Sequence, residues 1–251
     1  MAEEKQNKTT TRREFLKKSG YVTGGVIGGG VLGGLIGSNF WNTGTETKVA
    51  PEETQQFDQA LQYFKSSADF KILAHATERI FPADENGPGA IDLGVPYYID
   101  HQLAGQWGIN AREYRQGPFY KGEPQQGYQS SLKHHEVFDL GIEALERYSQ
   151  EKFHTSFVEL EAEQQDEVLQ AFDENKVDLS VISSSLFFEL LRKLTIEGVY
   201  ADPLYGGNRN KQGWMMKEFP GVQMTYVDQI ESEEFIEIEP VSLHERFNKN
   251  N

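Results

Sequence analysis

Apolar residues recur at Phe57, Leu61, Phe64, Ala68, Ile72, Ala76 and Ile80, in steps of three and four, before the chain reaches Phe81-Pro82. That period draws one apolar stripe along a long amphipathic helix and does not fit the alternation of a half-buried strand. Later segments repeat it. Val95 to Trp107 reads as a shorter helix with Pro96 in its first turn, and Tyr128 to Ser149 as a third, with Leu132, Phe138, Ile142, Leu145 and Tyr148 mostly on one face. Phe153 to Leu160 reads as a short helical element, Gln164 to Phe172 as a helix, and Leu179 to Gly198 as the last. Gly198 is placed to end that helix, and Ser183-Ser184-Ser185 to serve its start. Between these elements run a loop from Ala83 to Gly94 that turns at Gly87-Pro88-Gly89-Ala90, an irregular stretch from Gly108 to Gly127, and a glycine-rich loop from Tyr200 to Gly221. In the acidic tail, Met224 to Tyr226 and Phe235 to Ile238 read as short strands, or the acidic residues between them as part of a mobile arm. The expected fold is mainly α: a single irregular helical domain with long ordered loops over residues 57–221, followed by a tail over 222–251.

With 24 Lys and Arg against 39 Asp and Glu the chain has a net charge of −15, and residues 1–40 hold six of the basic groups and three of the acidic ones. The body is therefore more acidic than the whole. It repels phosphate backbones, so no nucleic-acid partner is expected, and it is pushed from an anionic lipid surface unless tethered. The chain has no cysteine, which excludes disulfides, thiolate metal sites, iron–sulfur clusters and haem attached through Cys-x-x-Cys-His.

The N-terminus differs sharply from the rest. Thr11-Arg12-Arg13-Glu14-Phe15-Leu16-Lys17 resembles the twin-arginine export motif, with Arg12, Arg13, Phe15 and Leu16 as its recognition residues. An uncharged run of eighteen residues from Gly20 to Gly37 follows, nine of them glycine. Within it, Gly28-Gly29-Gly30-Val31-Leu32-Gly33 matches the spacing of a dinucleotide-binding fingerprint, but the preceding strand and the distant acidic residue that the fingerprint needs are missing. No Ala-x-Ala cleavage site follows, and Phe40 and Trp41 are of the type that settles at a membrane interface. A helix from Gly20 to Trp41 would span roughly 33 Å, enough to cross a hydrocarbon core of about 30 Å. Residues 1–41 are thus expected to be a twin-arginine signal or a membrane anchor, and 42–56 a linker, placing the body on the outer face of the cytoplasmic membrane.

Chemistry-bearing clusters are sparse. His134, His135 and Glu136 tempt a metal reading, but neighbouring residues on a helix point about 100° apart, so a solvated histidine pair is expected. Asp84, Asp100 and Asp202 sit in no motif with a mechanism, and no Gly-x-Ser-x-Gly, His-Glu-x-x-His or phosphate-binding loop occurs. No catalytic, cofactor-binding or metal residue is assigned to this chain.

The most distinctive stretch is Asp202-Pro203-Leu204-Tyr205-Gly206-Gly207-Asn208, continuing through Arg209, Trp214 and Phe219-Pro220-Gly221. Aspartate before proline starts turns, paired glycines permit backbone shapes closed to other residues, and tyrosine and tryptophan give large contact area at low entropic cost. Asp202, Pro203, Tyr205, Gly206, Gly207, Asn208, Trp214, Pro220 and Gly221 are accordingly candidates for docking a partner, the alternative being an ordered loop that only closes its own domain. Asp-Pro-x-Tyr-Gly-Gly-Asn followed by a tryptophan and Phe-Pro-Gly resembles the gluconate 2-dehydrogenase subunit 3 family. Ile80-Phe81-Pro82, Gly87-Pro88-Gly89-Ala90, Gly94-Val95-Pro96 and Tyr114-Arg115-Gln116-Gly117-Pro118-Phe119 carry the resemblance further, from about Phe57 to Gly221. It implies a non-catalytic small subunit beside a large FAD-dependent dehydrogenase subunit that oxidises a sugar acid, sugar or polyol. Electrons would leave through a cytochrome subunit carrying haem, or a similar acceptor, and the twin-arginine translocase would carry the folded pair. The competing readings are an exported enzyme acting alone and a transient export escort.

Overall fold

The computed structural model describes residues 60–248, apart from Lys121, Asp228 and Phe235. The twin-arginine segment, the anchor helix and the linker therefore lie outside the described residues. Seven α-helices follow one another: α1 (Ser67–Ile80), α2 (Val95–Ala104), α3 (His134–Phe153), α4 (Ala162–Asp173), α5 (Ser184–Tyr200), α6 (Gln212–Met215) and α7 (Leu243–Asn248). No strand forms among the described residues, which carry only isolated bridges at Asp84–Gly87, Asp178–Ser183 and Gly221–Val241. The mainly helical architecture with long ordered loops is as the apolar period implies. Helix α1 lies at the centre and touches α2, α3, α4 and α5, while α5 also packs on α4 and α2. Among the described residues no helix is long and apolar enough to cross a membrane.

Helix α1 starts ten residues later than its apolar spacing predicts, and the cause is Asp100 on α2. Its fully buried carboxylate accepts the backbone N–H groups of Gln62 (2.6 Å), Tyr63 (3.1 Å) and Phe64 (2.9 Å), which holds that segment open. Three charge-assisted hydrogen bonds replace helical ones there. The helix then begins where Ser66 Oγ accepts from Ala68 and Asp69 N–H. At its far end Arg79 forms a bidentate pair with Asp166 of α4, both bonds 2.7 Å.

The core is organised around Phe138, Phe157, Phe172 and Phe187, all fully buried. Phe187 meets Phe138 and Phe172 edge-on, with centroids 5.5 and 5.8 Å away, a geometry that adds about 0.5–1.5 kcal/mol per pair to the burial itself. Gly141 makes room for it: a Cβ there would fall 2.2 Å from the Phe187 ring. The weakness of a glycine within a helix is thus accepted for the close approach of α3 and α5.

Three further expectations are corrected. Helix α3 begins at His134 and not Tyr128, because the carbonyls of Ser131 and Leu132 are taken by Arg115 Nη2 (2.7 and 3.0 Å), with Tyr128 Oη also donating to Leu132 O. Gly198 does not end α5, which runs on to Tyr200; it lies against Val95 and Tyr98 of α2, where a Cβ would be 2.9 Å from the Tyr98 ring. Neither tail segment near Met224–Tyr226 nor residues 236–238 forms a strand. The tail's ordered part is instead α7, started by Ser183-like capping at Ser242, whose Oγ accepts Glu245 N–H. The start of α5 does use the serine run as expected, Ser183 Oγ accepting Leu186 N–H at 3.2 Å.

Candidate functional site

After α5 the chain turns at once into the glycine-rich loop, and almost every polar group there is used internally. Asp202 Oδ1 accepts Leu204 N–H (2.9 Å) and starts a 3-10 turn over Pro203–Tyr205, leaving Oδ2 for Leu243 N–H (2.8 Å) at the start of α7. Gly206 follows at φ 94°, and Gly207 crosses so close to α5 that a Cβ would fall 2.2 Å from Gly198 O. Only glycine fits at either position.

Asn208 is the hub. Fully buried and left-handed at φ 47°, it donates from Nδ2 to Ala201 O and accepts Gly213 N–H on Oδ1, both at 2.8 Å. Its side chain thereby closes the loop on itself across the base. Trp214 completes the closure by donating from Nε1 to Tyr200 O (2.8 Å), with Phe219 edge-on at 5.4 Å. Arg209 N–H reaches Leu93 O (3.0 Å) and ties the loop to the segment leading into α2. Beyond Gly221 at φ 70°, Val222 N–H bonds Val241 O (2.7 Å), bringing the tail back. Lys211 Nζ then clasps both oxygens of Glu245 at 2.7 and 2.9 Å, and this hydrogen bond, with help from Ser242 N–H, holds the Glu245 carboxyl below its usual range.

The nine docking candidates are therefore divided by the fold. Asp202, Gly206, Gly207, Asn208, Trp214 and Gly221 are buried, Pro203 and Pro220 half-buried, and Tyr205 alone is well exposed, at 50 %. Trp214, expected to face a partner, is turned inward with 4 % of its surface left. The surface is supplied instead by residues outside the docking list: Leu204 at 54 %, Phe219 at 47 %, and Met215. Beside them Tyr98, Gln102, Glu197, Tyr200, Asp202 and Tyr205 line a shallow cleft of about 530 Å³. Burial, with Glu197 nearby, pushes the Tyr98 hydroxyl up to about 12, so it remains a neutral donor.

A larger cleft of about 990 Å³ opens between α1 and α3, lined by Tyr63, Ser66, Asp69, Asp139, Glu143 and Arg147 among others. None of the loop's motif residues reaches it, and its polar groups are of mixed sign, so the glycine-rich loop remains the better candidate. Among the described residues no group of three His, Asp or Glu is arranged to hold a metal ion. The solvated histidine pair is corrected as well. His134 is buried, stacked on Trp107 at 4.0 Å. Its Nδ1–H donates to Trp107 O (2.9 Å) and Nε2 accepts from Asn110 Nδ2 (3.1 Å), the tautomer following from these partners. Burial is the main reason that its pKa lies below the usual value.

No curated protein matches the chain, and no solved structure does. The family model for gluconate 2-dehydrogenase subunit 3 matches residues 67–221, from the first residue of α1 to the last of the Phe-Pro-Gly turn. That span is more than half of the 251 residues and includes every buried residue of the loop's closure, so the chain belongs to the gluconate 2-dehydrogenase subunit 3 family.

Proposed function

We propose that this chain is a non-catalytic small subunit of a membrane-associated, FAD-dependent dehydrogenase that oxidises gluconate or a related sugar or polyol. FAD belongs to the large partner subunit in this reading, and haem to a cytochrome subunit that takes the electrons onward. Membership of a family of dehydrogenase subunits supports the partnership. The observation that carries the docking role is the contrast within one loop: Leu204, Tyr205 and Phe219 stand half-exposed on a backbone that Asp202, Asn208 and Trp214 lock from inside. Large side chains on a loop already ordered lose little freedom when a partner covers them, which favours binding.

The export reading joins to this. A flavoprotein folds around its cofactor before it crosses a membrane, and the twin-arginine route carries folded cargo, so the signal at Arg12 and Arg13 would serve both subunits. The test is purification of the tagged full-length chain from its native membrane in mild detergent, with an absorption spectrum, mass spectrometry and a dye-linked dehydrogenase assay. A co-purifying flavoprotein active on a sugar acid, sugar or polyol is expected. A colourless chain recovered alone, under conditions that preserve other membrane complexes, would overturn the subunit reading.

A further inference from the structure

We infer that Arg209 is the anchor for an acidic side chain of the partner subunit, a contact that rests on the docking role proposed above. Three observations on one side chain lead there. Arg209 Nε is enclosed within the protein and has no hydrogen-bond acceptor. Its terminal nitrogens make no hydrogen bond and no ion pair among the described residues either, in a chain whose 39 acidic groups far outnumber its bases. The guanidinium nevertheless has a defined place: its backbone N–H is fixed to Leu93 O at 3.0 Å, and Nη2 stands 3.4 Å from where a Cβ on Gly94 would sit. The carbonyl of Gly206 lies 2.8 Å from that same point, so Arg209 stands beside the turn that raises Leu204 and Tyr205.

An enclosed polar atom with no partner is rare enough to require a reason. Among the described residues no acceptor reaches the planar head, and because Nε is enclosed a partner meets only the terminal nitrogens. The two terminal nitrogens offer a bidentate edge to a carboxylate, and an arginine beside the turn that carries exposed Leu204 and Tyr205 has the composition of an interface centre. The acidic field of this chain works against capture of a free small anion. A carboxylate delivered by a docking protein brings other contact energy with it, and that decides between the two sources.

The experiment compares wild type, Arg209→Gln and Arg209→Lys as tagged full-length chains co-expressed with the flavoprotein subunit that the wild type captures. Read-outs are flavin recovered per chain across a salt series and the melting temperature of the isolated chain. Arg209→Gln should weaken capture about tenfold or more, Arg209→Lys should restore only part of it, and neither should lower the melting temperature, because no internal hydrogen bond is lost. Capture by Arg209→Gln equal to wild type would overturn the inference and leave the subunit reading standing. A lower melting temperature with capture per folded chain unchanged would show a structural arginine and also overturn it. Inorganic phosphate raising the melting temperature of wild type but not of Arg209→Gln would replace the partner's carboxylate by a free anion. Failure of the wild type to capture any flavoprotein would instead overturn the function on which the inference rests.

Discussion

Replacing Asn208 by alanine tests whether the loop is closed from inside. The substitution strands the half-buried Ala201 C=O and the buried Gly213 N–H, which now share 2.8 Å bonds with the amide. Each orphaned group costs about 1–3 kcal/mol. Alanine also lacks the local hydrogen bonding that lets asparagine occupy the left-handed region, where Asn208 stands at φ 47°, adding roughly 1 kcal/mol. The sum is about 3–7 kcal/mol, and at roughly 2–4 °C per kcal/mol for a domain of this size the melting temperature should fall by on the order of 10 °C. Differential scanning calorimetry reads it directly. Asn208→Gly keeps the orphaned groups but removes the backbone penalty, so it should melt a few degrees above Asn208→Ala. A fall of less than about 6 °C for Asn208→Ala would refute the reasoning, since the lowest sum, about 3 kcal/mol at about 2 °C each, already gives that.

Two further outcomes follow from the buried polar groups. Asp100→Asn keeps acceptors for Tyr63 and Phe64 but turns an NH₂ toward Gln62 N–H where a carboxylate oxygen now lies at 2.6 Å; urea denaturation should show a loss of about 2–4 kcal/mol, and an unchanged midpoint would mean the 60–66 segment is held by something else. His134 has a folded-state pKa depressed below the usual 6.5, so its contribution to stability is fully present above that pH and is lost as the pH falls below it toward the folded value. His134→Gln should therefore flatten the dependence of melting temperature on pH below about 6.5, and identical slopes in wild type and variant would remove His134 from that role.

The apolar period made the helices legible but not their first turns. Phe57, Leu61 and Phe64 fall on the stripe as well as Ile72 or Ala76 do, yet a carboxylate 36–38 residues further along the chain, Asp100, takes the N–H groups that a helix would need. Arg115 does the same to the carbonyls before α3. Such long-range competition leaves no trace in local spacing. In the loop, Gly206 and Gly207 were readable as special backbone positions, and they are; that Asn208 is left-handed was not. Which way the loop faces was not readable, because Trp214 is equally suited to a partner's surface and to its own α5, and the free Tyr200 carbonyl at the end of that helix decides for the latter. Leu204 and Arg209 stood in that stretch without being docking candidates; their significance comes from what the buried residues leave outside.

Asp202 offers a different lesson, about how a fold acquires additions. One carboxylate oxygen starts the 3-10 turn that the loop needs; the other has nothing to do within residues 67–221 and accepts Leu243 N–H from outside the family-matched span. The segment beyond the family-matched span is thus fastened through a lone pair that the turn itself leaves free. For protein engineers the corollary is practical: a fragment trimmed to end at Gly221 would keep the whole recognisable motif and yet leave Asp202 Oδ2 and Lys211 without their partners. The boundary of a family is not the boundary of a folded unit.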